Sequence, residues 1–150
     1  MISDNTHIAN AVETDLDDLF SLLTTVSLPH EGVADHHNNF FVARNQENQL
    51  IACAGLEHYG KLALLRSVAV SPDSQNTGIG SKLMAVMLDH AAKAGIEEVV
   101  LLTTTARDFF AHRFEFVETS REAYKDRLDS SPEWSLPRCS SAVFMRLQLK

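Results

Sequence analysis

Residues 63–95 constrain this chain more than any other segment, because they read in succession as a strand, a glycine-bearing turn and a long helix. Ala63-Leu64-Leu65-Arg66-Ser67-Val68-Ala69-Val70 has the length and β-branched content of a mostly buried strand. Ser71-Pro72-Asp73-Ser74 breaks it. From Ile79 onward, Ile79, Leu83, Val86, Met87 and Ala91 recur at helical spacing, and Gly95 is placed to close the helix as its C′ residue. The turn between them is Gln75-Asn76-Thr77-Gly78-Ile79-Gly80. A helix that starts this way directs backbone N–H groups without intrahelical partners toward the end of a strand. That is an anion-binding geometry, and it suits a pyrophosphate.

The glycine spacing excludes two familiar phosphate loops. A Rossmann turn needs a third glycine where Leu83 stands. A Walker A loop needs glycine at position 76 ahead of Gly-Lys-Ser/Thr, and this chain has Asn76 and Gly80-Ser81-Lys82. A plain strand-to-helix connection remains the other reading of the same residues.

At 150 residues, with 45% of them apolar, the chain is expected to form a single domain over residues 1–150 with a real hydrophobic core. No apolar run reaches spanning length and no signal-peptide core opens the chain, which leads us to expect a soluble, cytoplasmic protein. Net charge of −7, with no basic cluster, argues against a nucleic-acid partner and is compatible with a cationic amine substrate. Cys53 and Cys139 sit in apolar strand-like runs and read as buried reduced thiols. His36 and His37 are adjacent and point apart, and His30 and His58 lack metal-type spacing, so no metal site is expected.

Along the chain, a short strand around His7–Val12 leads to Thr14-x-x-Asp17, which resembles a helix cap. Leu16, Leu19, Phe20, Leu22 and Leu23 then mark a helical apolar face. After a polar loop over Leu28–Asn39, Phe40–Arg44 and Gln49–Glu57 read as a hairpin, followed by the turn Tyr59-Gly60-Lys61. Val99–Thr103 reads as a buried strand, Thr104–Arg113 as a short helix anchored by Phe109 and Phe110, and Phe114–Glu118 as another strand. Ser120–Leu128 reads as a helix, Asp129–Pro137 as a loop carrying Trp134, and Ser141–Leu149 as a last strand. The order gives a mixed α/β fold around one central sheet.

Gln75-x-x-Gly78-x-Gly80 resembles the Gln/Arg-x-x-Gly-x-Gly/Ala signature of the GNAT N-acetyltransferase superfamily, and the element order resembles the whole fold of that family. The resemblance implies an α/β GNAT acyl-CoA N-acyltransferase fold. Its mixed sheet would be splayed between the fourth and fifth strands and covered by helices on both faces. It also implies acetyl-CoA as cosubstrate. Gly55-Leu56-Glu57-His58-Tyr59-Gly60, Ala63–Val70, Leu101–Ala106 and Cys139–Met145 further resemble a branch named for arsenic resistance. That likeness implies acetylation of the primary amine of a small amino-acid-like substrate, an arsenical or phosphinothricin-like amino acid among them. Dimerisation is common in the family, often through C-terminal strands, and Trp134 and Phe144 are candidates for it.

Carried onto this chain, the resemblance puts pantetheine between Leu64–Val70 and Val99–Thr103, contacting the backbones of Val68, Ala69 and Val70. Val68 N–H becomes the candidate donor to the thioester carbonyl. Gln75, Asn76, Thr77, Gly78, Ile79, Gly80 and Ser81 are assigned to the pyrophosphate, and Phe110 to the coenzyme. Position 64, where several relatives carry a catalytic Glu, is Leu64, so Glu57 is the nearest replacement base, read here as a strand-end carboxylate with a raised pKa. Arg66 interrupts a buried strand and needs a partner, either a substrate carboxylate or an internal ion pair with Glu57. His58 and Thr104 complete the candidate acceptor side. Two departures stand out. The helix tyrosine that many relatives use to protonate the thiolate is absent, leaving Tyr124 or water, and Glu115-Phe116 replaces the usual Gly-Phe, which is expected to alter that turn. These departures keep open a catalytically degenerate acyl-CoA sensor, and a protein N-acetyltransferase is a further alternative.

Overall fold

Among the described residues, seven strands hydrogen-bond in the order β1-β2-β3-β4-β5-β7-β6. They are β1 (His7–Asn10), β2 (Phe40–Arg44), β3 (Leu50–Tyr59), β4 (Leu62–Val70), β5 (Glu98–Thr103), β6 (Val117–Glu118) and β7 (Val143–Gln148). The helices are α1 (Leu16–Thr25), α2 (Ile79–Lys93), α3 (Arg107–Phe114) and α4 (Lys125–Leu128). This is a computed structural model, and it describes residues 6–28, 33, 39–75, 77–103, 106–128 and 142–149. β4 and β5 are parallel, while β1–β2, β2–β3, β5–β7 and β6–β7 are antiparallel, so the sheet is mixed as expected. The chain divides into two compact units, Met1–Leu56 with Ser67–His90, and Glu57–Arg66 with Ala91–Lys150.

In the first unit β2 pairs with β1 on one side and β3 on the other, with a register shift at Ala43/Arg44. Gly55 lies opposite Phe40, and a Cβ there would meet the Phe40 ring at 2.6 Å. A side chain at 55 would therefore force the Phe40 ring to move. Leu19, Leu22 and Leu23 of α1 pack with Phe40, Val42, Cys53 and Ala69 into one core, so the predicted apolar face is the one used. The cap lies earlier than Thr14-x-x-Asp17. Val12 N–H donates to the Asp15 carboxylate at 2.8 Å, and a 3-10 turn over Glu13–Asp15 precedes α1. Asp15 also takes Arg44 Nη2 at 2.6 Å. Burial pushes its pKa up, but the Val12 and Arg44 hydrogen bonds and the Arg44 charge outweigh this and hold it below the usual value.

In the second unit Leu62–Leu65 run parallel to Glu98–Leu101, and β5 continues against β7 to Thr103↔Val143. Leu62, Leu64, Val100, Leu128, Phe144 and Tyr124 form its core. β3 extends two residues beyond the expected Glu57, through His58 and Tyr59, so the turn contains only Gly60 and Lys61. Helix α3 starts at Arg107, later than expected, and the Thr103 hydroxyl receives the Ala106 N–H at 2.9 Å. Phe114 is its last residue, leaving β6 only Val117–Glu118 of the expected Phe114–Glu118. Glu115 adopts φ 62° and ψ 25°, and Phe116 N–H returns to Phe110 O at 3.2 Å. The turn thus keeps the left-handed geometry that a glycine would take without strain, which corrects the expectation of an altered turn. No described helix is long and apolar enough to cross a membrane.

Candidate active site

In the first unit, the end of β4 and the start of α2 are built from backbone. Ser67 takes φ 58° within the strand, an uncommon conformation for a side-chain-bearing residue. The buried Cys53 thiol donates to the Ser67 carbonyl at 3.2 Å. Beyond it Ala69 is buried, while Val68 and Val70 are half-buried. Gln75 Nε2 donates to Val70 O at 3.2 Å, tying the turn back to the strand, and Ser71 N–H donates to Ile51 O at 2.8 Å. A single 3-10 turn, Pro72–Ser74, follows, and the Thr77 hydroxyl donates to Ser74 O at 2.5 Å.

Gly78 has φ 87°, and its carbonyl accepts the Lys82 N–H at 3.1 Å in the first turn of α2. Ile79 and Gly80 stand at this helix start, the end toward which backbone N–H groups point. The first turn of α2 holds no acidic residue, so no carboxylate opposes an anion there. At the other end Gly95, φ 88°, donates to Ala92 O, and Ile96 N–H to Ala91 O at 3.0 Å, the double closure of a Schellman motif. Asn76 lies outside the described residues.

In the second unit, Glu57 is an interior residue of β3, only 1% exposed, and Arg66 on β4 is 2% exposed. The expectation of a strand-end carboxylate is corrected, because β3 carries on past it. Arg66 Nη1 donates to Glu57 Oε2 at 3.0 Å, and the Tyr59 hydroxyl donates to Oε1 at 2.6 Å. Of the two partners left open for Arg66, the internal carboxylate is the one present. Two charges held out of water cost several kcal/mol each to desolvate, and the ion pair with the Tyr59 hydrogen bond offsets that. Strand alternation puts Tyr59 on the Glu57 side and turns the exposed His58 away from it.

Tyr59 is the functional candidate that sequence reasoning missed. Its spacing of two from Glu57 carried the signal, but placing it in the turn concealed it. Thr104 lies outside the described residues, as do Cys139, Trp134, His30, His36 and His37. Phe110 is buried and stacks edge-on with Phe109 and Phe116, with ring centroids 5.2 and 5.7 Å apart.

Tyr124, one of the alternatives for the missing proton donor, has its hydroxyl on the Glu98 carboxylate. Arg146 Nε meets the same carboxylate at 2.6 Å, and Arg127 lies 3.8 Å away. Burial, then the bond to Glu98 and its charge, raise the Tyr124 pKa. The bond holds Tyr124 against β5 within this unit. Among the described residues no group of His, Cys, Asp and Glu is arranged to hold a metal.

A family model described as Acetyltransferase (GNAT) family matches residues 9–116. An uncharacterized N-acetyltransferase of Chlorobaculum tepidum is 31% identical over 99 residues, 65% of this chain and 62% of that protein. An amino-acid acetyltransferase of Neisseria meningitidis is 31% identical over 103 residues, 61% of this chain. The chain spans only 23% of that relative's length. The crystal structure of N-acetylglutamate synthase from Neisseria gonorrhoeae, complexed with coenzyme A and L-arginine, superposes with a TM-score of 0.81 at 25% identity. It covers 98% of this chain and 34% of that one. A GNAT-family acetyltransferase from Staphylococcus aureus shares the fold, with a TM-score of 0.81 at 16% identity over 97% of this chain and 99% of that one.

Proposed function

The chain belongs to the Acetyltransferase (GNAT) family, and from that premise we propose that it is an N-acetyltransferase. It moves the acetyl group of acetyl-CoA to the primary amine of a small amino-acid-like substrate in the cytoplasm. The observation that carries this reading is the backbone at the end of β4 and the start of α2, where a left-handed Gly78 leads directly into the first turn of the helix. Amides presented this way suit a pyrophosphate. Asn76, Thr77, Gly78, Ile79, Gly80 and Ser81 hold it, with Gln75 fixing the turn, and the backbones of Val68, Ala69 and Val70 hold the pantetheine amides. The cosubstrate supplies an activated acyl carbon, on which the C–N bond forms as the C–S bond breaks.

The chain supplies three things in this reading: a grip on the carrier, a hydrogen bond to the carbonyl, and a proton acceptor. Val68 N–H donates to the thioester oxygen, where charge develops. Glu57 takes the amine proton. Arg66 keeps that carboxylate in place, and Thr104 belongs to the acceptor side. The amino-acid class is supported by the names of the amino-acid acetyltransferase relatives. A finer identity, an arsenical or phosphinothricin-like amino acid, rests on the branch-like strings at 55–60, 63–70, 101–106 and 139–145.

The test is thiol release from acetyl-CoA across a panel of amino acids that includes glutamate, phosphinothricin and an arsenical analogue, with mass spectrometry of the product. Turnover on an α-amino acid is expected, and Glu57→Gln is expected to lower kcat about 100-fold. Coenzyme binding by calorimetry with no turnover on any amine would replace the enzyme with a sensor. Sizing the protein in the same buffer reads whether copies pair.

A further inference from the structure

Glu57 has a difficulty as a base: it is 1% exposed, and both of its oxygens are already engaged. Its Oε2 side is closed by Arg66, whose side chain is itself fully buried. Its Oε1 side meets the hydroxyl of Tyr59, which is half-buried and packs its ring on the Leu62, Leu64 and Phe144 core. The phenol is thus placed to hand a proton to the carboxylate.

We propose that Tyr59 is a catalytic residue that relays the proton of the acceptor amine to Glu57. This rests on the N-acetyltransferase reading above and adds the route by which a buried base acts. In the step, the acceptor ammonium gives one proton to Tyr59 Oη, and the neutral amine so formed makes its bond to the acyl carbon and loses its second proton to the departing sulfur. Tyr59 passes its own proton to Glu57 Oε1, and the thioester C–S bond breaks with the electron pair leaving on sulfur. No oxidant or further reactant enters, and the phenol ends the step neutral. Arg66 stays on Oε2 throughout and fixes the carboxylate so that Oε1 faces the phenol.

The experiment compares wild type, Tyr59→Phe and Glu57→Gln on the best amine of the panel, over a range of pH. Tyr59→Phe keeps the ring and its packing and removes only the hydroxyl. Its kcat is expected to fall about 100-fold near neutral pH, with KM for acetyl-CoA unchanged. That deficit narrows as pH rises and solvent deprotonates the amine without help. A deficit of constant size at every pH overturns the relay and makes Tyr59 a packing residue. A second reading needs no variant: with a slow substrate, for which chemistry limits, kcat is measured against deuterium fraction in the solvent. Two protons moving together bow that plot, and a straight line overturns the proposal. Full activity of Tyr59→Phe beside an inactive Glu57→Gln refutes the relay and leaves the N-acetyltransferase reading standing. Absence of turnover by wild type on every amine sinks that reading, and the relay with it.

Discussion

In one compact unit, Glu57, Arg66 and Tyr59 join two buried charges and a phenol in an apolar surround. In the other, the described residues from Ser67 to Ser81 include two in the left-handed conformation, Ser67 and Gly78. The first arrangement depends on which side chains are present, because a lone buried charge is costly. The second depends on φ and ψ, and most of its side chains serve only to hold the backbone in shape. The two regions should therefore fail differently when altered.

The largest effect is expected at Arg66. Arg66→Leu leaves the Glu57 charge buried without its ion pair and should lower stability by about 3–5 kcal/mol in urea unfolding. Replacing both partners by leucine should recover most of that, although it abolishes the proposed chemistry. A single mutant as stable as wild type would show that the pair is not sealed from water. Next comes Gly78→Val, which forces a β-branched residue into the left-handed region at a cost of about 1–2 kcal/mol. Calorimetry with coenzyme A should show a Kd about tenfold weaker, because the strain is relieved by moving the amides that bind. Unchanged affinity would detach the turn from the carrier.

A smaller loss is expected for Cys53→Ala, which removes the donor to Ser67 O at the cost of about 1 kcal/mol in thermal unfolding. Serine at 53 should restore part of it, since the hydroxyl also donates. The smallest effect is in acid. Burial opposes ionisation of Glu98, but hydrogen bonds from Tyr124 and Arg146 and the charges of Arg146 and Arg127 hold its folded pKa below the unfolded one, and Asp15 is lowered in the same sense. Their stabilisation is complete above the unfolded carboxylate pKa and is lost as pH falls through the folded values, below about pH 4. Glu98→Gln and Asp15→Asn should each flatten the acid limb of the stability curve in circular dichroism, without touching either region compared above.

The backbone region was legible in the sequence, and the charged one only in part. Gly78 and Gly95 announce a turn and a helix stop, because few residues but glycine tolerate the left-handed φ both adopt. The strands and α1 followed from apolar spacing. By contrast, Arg66 and Glu57 were visible as polar residues in apolar runs, but their pairing was one of two open choices. Tyr59 was placed in the turn, Tyr124 was one of several alternatives for a proton donor and has its hydroxyl on Glu98, and Glu115 was expected to alter a turn in which it takes the left-handed conformation. Each of these depends on where a neighbouring strand ends or which group lies across from it, and local spacing carries no such information.

By itself the sequence determined the element order, the apolar faces and the glycine-marked turn, because these follow from periodicity of 2 or 3.6 and from the φ angles a residue tolerates. Only the tertiary structure decided that β3 runs on to Tyr59, that Arg66 is spent on Glu57, and that the Cys53 thiol meets the Ser67 carbonyl. Those are contacts between residues 9 to 14 positions apart. Their partners are selected by strand pairing and by the cost of burying a charge or a carbonyl alone, which exists only once the chain has folded.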